Sequence, residues 1–176
     1  MENEPMTNDA ADRAYDAGRQ NEAEYHGCAQ CVLAALQDTF DERDDAVFRA
    51  ATGLSGGGGL SGDGSCGAYT GATMFLGQLQ GRERDDFADA AGVRYETSRM
   101  VGELRSRFIE QYESVVCGDV QASVIGRSVD LNDADDVACF KDAGAHSVHC
   151  PEVVGQAARW AAEIVIENNL PRNDDS

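Results

Sequence analysis

Apolar residues recur along this chain at intervals of three and four, the signature of helices that each turn one face to a core. Ala11, Ala14, Tyr15 and Gly18 share a face in a first predicted helix over 9–24. A second helix starts near Cys28 and runs to Phe40, with Ala29, Val32, Leu33, Leu36 and Phe40 inward. A shorter segment, 44–54, offers Val47, Phe48, Ala51 and Leu54. From Cys66 to Gly81 the spacing of Ala68, Ala72, Phe75 and Leu79 is again helical, and Gly71 and Gly77 leave room for a neighbouring helix. A long amphipathic helix is predicted over 93–116, its stripe formed by Val101, Leu104, Phe108, Tyr112 and Val115, with Cys117 and Gly118 ending it. Residues 119–149 read as irregular or short-helical. The last helix begins at Pro151, which suits a first helical position, and buries Val154, Ala157, Ala158, Ala161 and Val165. No set of alternating strands and no internal repeat emerges. The expectation is an all-α, single-domain helical bundle over 9–168 with a glycine-rich loop, and flexible polar ends at 1–8 and 169–176.

Glycine and serine dominate 53–67, where no regular helix can persist. Gly57, Gly59 and Gly62 satisfy GxGxxG, and Gly53 to Gly57 satisfies GxSxG. Neither motif follows a strand, so neither a dinucleotide fold nor a nucleophile elbow is indicated. The glycines instead allow the backbone to pass close to Cys66 and to a cofactor or partner thiol.

Composition narrows the function classes. The 176 residues can bury a real core, and no run approaches the roughly 18 apolar residues of a membrane helix. The chain carries 32 acidic against 14 basic residues, a net charge of −18, and Lys141 is its one lysine. Such a surface repels phosphates and anionic membranes, which excludes nucleic acid and membrane surfaces as partners. Carboxylate excess with lysine depletion also fits a protein working in concentrated salt, where screening removes the self-repulsion. The first residues include Glu2 and Glu4 and no basic cluster, so a cytoplasmic location is expected.

The six cysteines, Cys28, Cys31, Cys66, Cys117, Cys139 and Cys150, then become the focus. Cytoplasmic thiols stay reduced, so metal binding or thiol redox chemistry is a sharper reading than a disulfide scaffold. Cys28, Cys66 and Cys150 fall at predicted helix starts, where orphan amides and the helix dipole favour thiolate. Cys117, at a predicted helix end, would need a partner charge or a metal. Cys28 and Cys31 form a CxxC, but without the strand of a thioredoxin-like unit, and Val32 replaces the histidine of a haem attachment motif. A zinc site would join Cys28 and Cys31 to two of His146, His149 and Cys150 through the tertiary fold, although both histidines read more simply as exposed loop residues. His26, two residues before Cys28, could promote its thiolate. No Ser–His–Asp order or catalytic carboxylate pair stands out.

Four stretches together resemble a known family, the redox-active proteins named for the cysteine pattern C_GCAxxG_C_C. They are Gly27-Cys28-Ala29-Gln30 opening an apolar helix, the glycine run into Ser65-Cys66-Gly67-Ala68-Tyr69-Thr70-Gly71-Ala72, Val116-Cys117, and Cys150-Pro151-Glu152-Val153-Val154. The likeness covers most of the chain. By it, Cys28, Cys66, Cys117 and Cys150 are the family cysteines, with catalytic, cofactor-binding or metal-ligating roles, and Cys31 and Cys139 are extras. The run GCAxxG does not occur literally around Cys66, where Ser65 precedes the cysteine and Gly67 separates it from Ala68. The resemblance implies electron transfer, an oxidoreductase or electron carrier, by thiol/disulfide cycling or through a bound iron–sulfur cluster. A structural zinc or helical interaction module is the alternative. The redox partner is unnamed by the sequence, and small-residue helix faces permit a homodimer.

Overall fold

The computed structural model describes residues 6–170. Its α-helices are α1 (Met6–Tyr25), α2 (Cys28–Phe40), α3 (Asp45–Ala50), α4 (Gly67–Gln80), α5 (Val93–Tyr112), α6 (Cys117–Ile125), α7 (Ala134–Asp142) and α8 (Cys150–Glu167). A 3-10 turn, Ala51–Leu54, extends α3, and a π-helical turn, Ala145–His149, precedes α8. No strand occurs among the described residues beyond one isolated antiparallel bridge, Ser65 to Val116. The fold is thus all-α, as the periodicity predicts, and no described helix is long and apolar enough to cross a membrane. The ends expected to be flexible fall largely on residues 1–5 and 171–176, outside the described residues; Leu170 is buried.

Helix α8 is the central element, because its apolar stripe is the widest. Val154, Ala157, Ala158, Ala161, Ile164 and Val165 are fully or almost fully buried against α1, α2, α4 and α5. Helices α1 and α8 run antiparallel: Asp12 pairs with Arg159 at 2.6 Å while Tyr15 donates to Glu152 at 2.6 Å. Gly18 and Gly155 allow this close crossing, since a Cβ at Gly18 would lie 3.3 Å from the Gly155 Cα. Helix α5 adds Met100, Leu104, Phe108 and Tyr112, one per turn, and Phe108 packs edge-on against Tyr69 and Trp160. Such alternation of small and aromatic residues fills the core at close range.

Several expectations change. Helix α5 stops at Tyr112 rather than continuing to residue 116, because Glu113 takes a left-handed conformation (φ 64°) and its N–H returns to the Ile109 carbonyl. Ser114 then holds the start of a new helix, accepting the Val116 N–H through Oγ and donating to Asp119 in the first turn. Cys117 therefore opens α6 instead of closing α5. Residues 119–149, expected to be irregular or short-helical, are short-helical, holding the rest of α6, all of α7 and the π-helical turn. Gly71 meets the predicted close approach, its position crowded by the Ala29 carbonyl, whereas Gly77 faces open space.

Candidate functional site

Each of the four cysteines picked out by the resemblance stands at a helix N-terminus, and local backbone chemistry explains why. Helix α1 ends at Tyr25, and His26 (φ 60°) and Gly27 (φ 89°) reverse the chain in left-handed conformations before Cys28 begins α2. The glycine loop curls through positive φ at Gly56, Gly57, Gly58, Gly59, Leu60 and Gly62, a run that residues with a Cβ rarely sustain. The loop is then zipped to the start of α6: Cys66 N–H donates to Val115 O at 2.7 Å, Cys117 N–H to Gly64 O at 2.9 Å and Gly118 N–H to Gly62 O at 2.8 Å. These bonds bring Cys66, the N-cap of α4, beside Cys117. Cys150 follows from the π-helical turn directly into α8.

The four helix starts converge on one cavity of about 330 Å³, lined by Cys28, Cys66, Cys117 and Cys150. Apolar walls come from Leu60, Leu131, Phe140, Val153 and Val154, and polar groups from Glu22, His26, His146 and Gln121. Cys31 and Cys139 do not line it. Cys31 is buried with its S–H donating to the His26 carbonyl at 3.0 Å, and Cys139 is exposed. The zinc set of Cys28 and Cys31 with two of His146, His149 and Cys150 is therefore not assembled, since neither Cys31 nor His149 faces the cavity. Nor is His146 an exposed loop residue: it is half-buried, its ring 5.1 Å from Phe140 and 4.4 Å from His26.

Burial governs the thiols. It pushes Cys28 up to about 11, reinforced by the Glu22 carboxylate, and raises Cys66, Cys117 and Cys150 as well. The thiolates expected at helix starts are therefore replaced by neutral thiols. A helix terminus is worth at most about 2 kcal/mol to an anion, whereas full desolvation moves a pKa by up to roughly 3–5 units. His26 lines the same cavity as Cys28; its Nδ1 lies 2.9 Å from the Glu22 carbonyl and its ring packs on His146.

The cavity nonetheless offers sulfur-directed donors. Cys28 faces the Gly56 backbone N–H and the Ser55 hydroxyl, Cys66 the Ala68 N–H, and Cys117 the Gln121 amide at 3.4 Å. Gly67 approaches Cys28 so closely that any Cβ there would collide with Sγ. Four thiol ligands, N–H donors to sulfur and an apolar enclosure are the donor set an iron–sulfur cluster requires, and the residues present fit such a group.

A second cluster escaped sequence reading as a set. Glu22 is 3% exposed and its Oε2 has no hydrogen-bond partner; His146 Nδ1 is likewise buried without one. Together with His26 they place one ligand atom each within 4.8 Å of one another. Glu22 sits in the last turn of α1 and His26 just past its end, but nothing local ties His146 to them.

A family model described as "Putative redox-active protein (C_GCAxxG_C_C)" matches residues 26–164. No curated protein and no solved structure matches the chain.

Proposed function

Since the chain belongs to the C_GCAxxG_C_C family of redox-active proteins, we propose that Cys28, Cys66, Cys117 and Cys150 are its redox centre and that they hold an iron–sulfur cluster for electron transfer. The observation that carries this reading is the convergence of four helix-start cysteines on one apolar cavity, while Cys31 and Cys139 stay outside it. When bound, such a cluster supplies a one-electron couple whose potential depends on burial and on hydrogen bonds to sulfur. The chain's own residues would then have three tasks. The four sulfurs ligate, Gly56, Ala68 and Gln121 donate hydrogen bonds to sulfur, and Leu60, Leu131, Phe140 and Val153 exclude water.

Thiol/disulfide exchange is less well served by the same geometry. It needs an accessible thiolate, and here burial favours the neutral thiol at every one of the four positions. A metal centre removes that obstacle, because a coordinated thiol is deprotonated outright.

The test is iron and sulfide analysis with visible and electron paramagnetic resonance spectra on protein purified without oxygen. Stoichiometric iron with visible charge-transfer bands, lost in Cys66→Ser, is the expected result. Zinc without colour would make this a structural module instead. A colourless, metal-free protein whose thiol count changes with redox state would return the function to disulfide cycling.

A further inference from the structure

We propose that Glu22, His26 and His146, on the wall of the cavity that the cysteines line, form a second metal site that takes no cysteine ligand, for a divalent first-row transition ion of the zinc or ferrous-iron class. Two imidazoles and one carboxylate are the protein ligands of many zinc and non-haem iron centres. Here one nitrogen from each imidazole and one carboxylate oxygen all lie within 4.8 Å of one another. Among the described residues no other group of three or more histidine, cysteine, aspartate or glutamate side chains meets that spacing.

Two independent observations indicate that this cluster is built for a ligand. First, Glu22 is buried at the end of α1 and leaves Oε2 without a hydrogen bond, and His146 Nδ1 is orphaned in the same way. Buried polar atoms are nearly always satisfied, and these two orphans belong to residues that line one cavity, where a bound ion would give both a partner. Second, His26 is already oriented. Its Nδ1 sits 2.9 Å from the Glu22 carbonyl, which accepts a hydrogen bond from that nitrogen and leaves Nε2 as the free lone pair. Metal-ligating histidines are commonly fixed in this way, with a backbone carbonyl holding the ring nitrogen that does not ligate.

The backbone around the three residues is unusual in ways that serve this placement. His26 is a left-handed residue (φ 60°), held by its own N–H to Glu22 O at 3.2 Å and by the Cys31 S–H on its carbonyl. His146 lies on the π-helical turn, its ring centroid 4.4 Å from that of His26. His26 is exposed while Glu22 is buried, so an ion has a route from solvent to its ligands. Three protein ligands would leave at least one coordination position open, and all three residues lie on the wall of the cavity that the cysteines line. The ligand class for that position is water or a small oxygen donor.

The experiment is equilibrium dialysis of the full chain against zinc, followed by X-ray absorption at the zinc edge. One equivalent of zinc with nitrogen and oxygen neighbours at about 2.0–2.1 Å is expected, without the roughly 2.3 Å sulfur shell of a thiolate site. Glu22→Gln and His146→Ala should each weaken binding by more than about 100-fold, beyond what losing a group that merely supports a ligand produces. His149→Ala should leave it unchanged. Absence of zinc binding, an all-sulfur shell, or equal affinity in Glu22→Gln and His146→Ala would each overturn the site; with a mixed shell the two variants decide. Circular dichroism of each variant separates lost ligation from lost fold, and His26→Ala serves if one of the others does not fold. The cysteine centre is judged by iron and visible colour, so the two readings fail separately.

Discussion

Gly67 and Cys28 are in direct contact across α4 and α2: a Cβ at Gly67 would collide with Cys28 Sγ and would meet the Ala29 backbone nitrogen at 3.0 Å and the Ser55 Cα at 3.2 Å. Alanine is the better helix former by about 1 kcal/mol. Two of the three obstacles are backbone, however, and overpacking of this kind costs about 1–3 kcal/mol. Gly67→Ala should therefore lower stability in chemical denaturation and displace Cys28 from the cavity. A variant more stable than the parent, as helix propensity alone requires, would refute the contact.

Cys28 should be slow to alkylate in metal-free protein at neutral pH. Burial favours its neutral thiol, so the thiolate fraction rises about tenfold per pH unit and levels off only near pH 11. Exposed Cys139 should react ahead of it. Mass spectrometry of labelling against pH reads both; a Cys28 rate that levels off below pH 9 contradicts the burial.

Glu22 links stability to pH in the metal-free protein. Burial raises its carboxyl from 4.5 to about 7, so the fold favours the protonated form. That contribution is complete below pH 4.5, declines as pH rises and is lost once pH passes about 7. The groups facing it are His26, Cys31, Cys28, Cys150 and His146. Glu22→Gln should thus gain on the parent by up to the order of 3 kcal/mol between about pH 4.5 and pH 8. Parallel pH–stability curves for the two proteins would show that the carboxyl is solvated.

Net charge sets the salt response. At −18 the folded chain repels itself, and screening at multimolar potassium chloride shortens the reach of that repulsion to about 3 Å or less. The melting temperature should rise from low to multimolar salt. A flat or falling curve would remove salt adaptation as the reason for the acidic surface.

Much of this architecture was legible in sequence because a helix buries a periodic stripe, and a period is a local property. The faces of α2 and α8, including Val32, Leu36, Ala158 and Ala161, follow from spacing alone. The end of α5 did not, since Tyr112-Glu113-Ser114-Val115-Val116 continues an amphipathic pattern across a real break. There the decision belongs to non-local partners, the Cys66 N–H on Val115 and the Ser65–Val116 bridge, which draw the segment out of the helix.

The same division runs through the candidate sites. The sequence by itself determined which atoms are available: four cysteines at motif positions, a glycine loop able to approach them and 32 acidic residues against 14 basic ones. Only the tertiary structure decided which of those atoms meet. Cys31 is three residues from Cys28 and points elsewhere, while His146 arrives from the far end of the chain to face His26 and Glu22. Tertiary structure also reversed the expected ionisation of the thiols. Dipole effects can be read from position in a helix, but desolvation depends on everything that packs around the sulfur, and at these four cysteines desolvation outweighs the dipole.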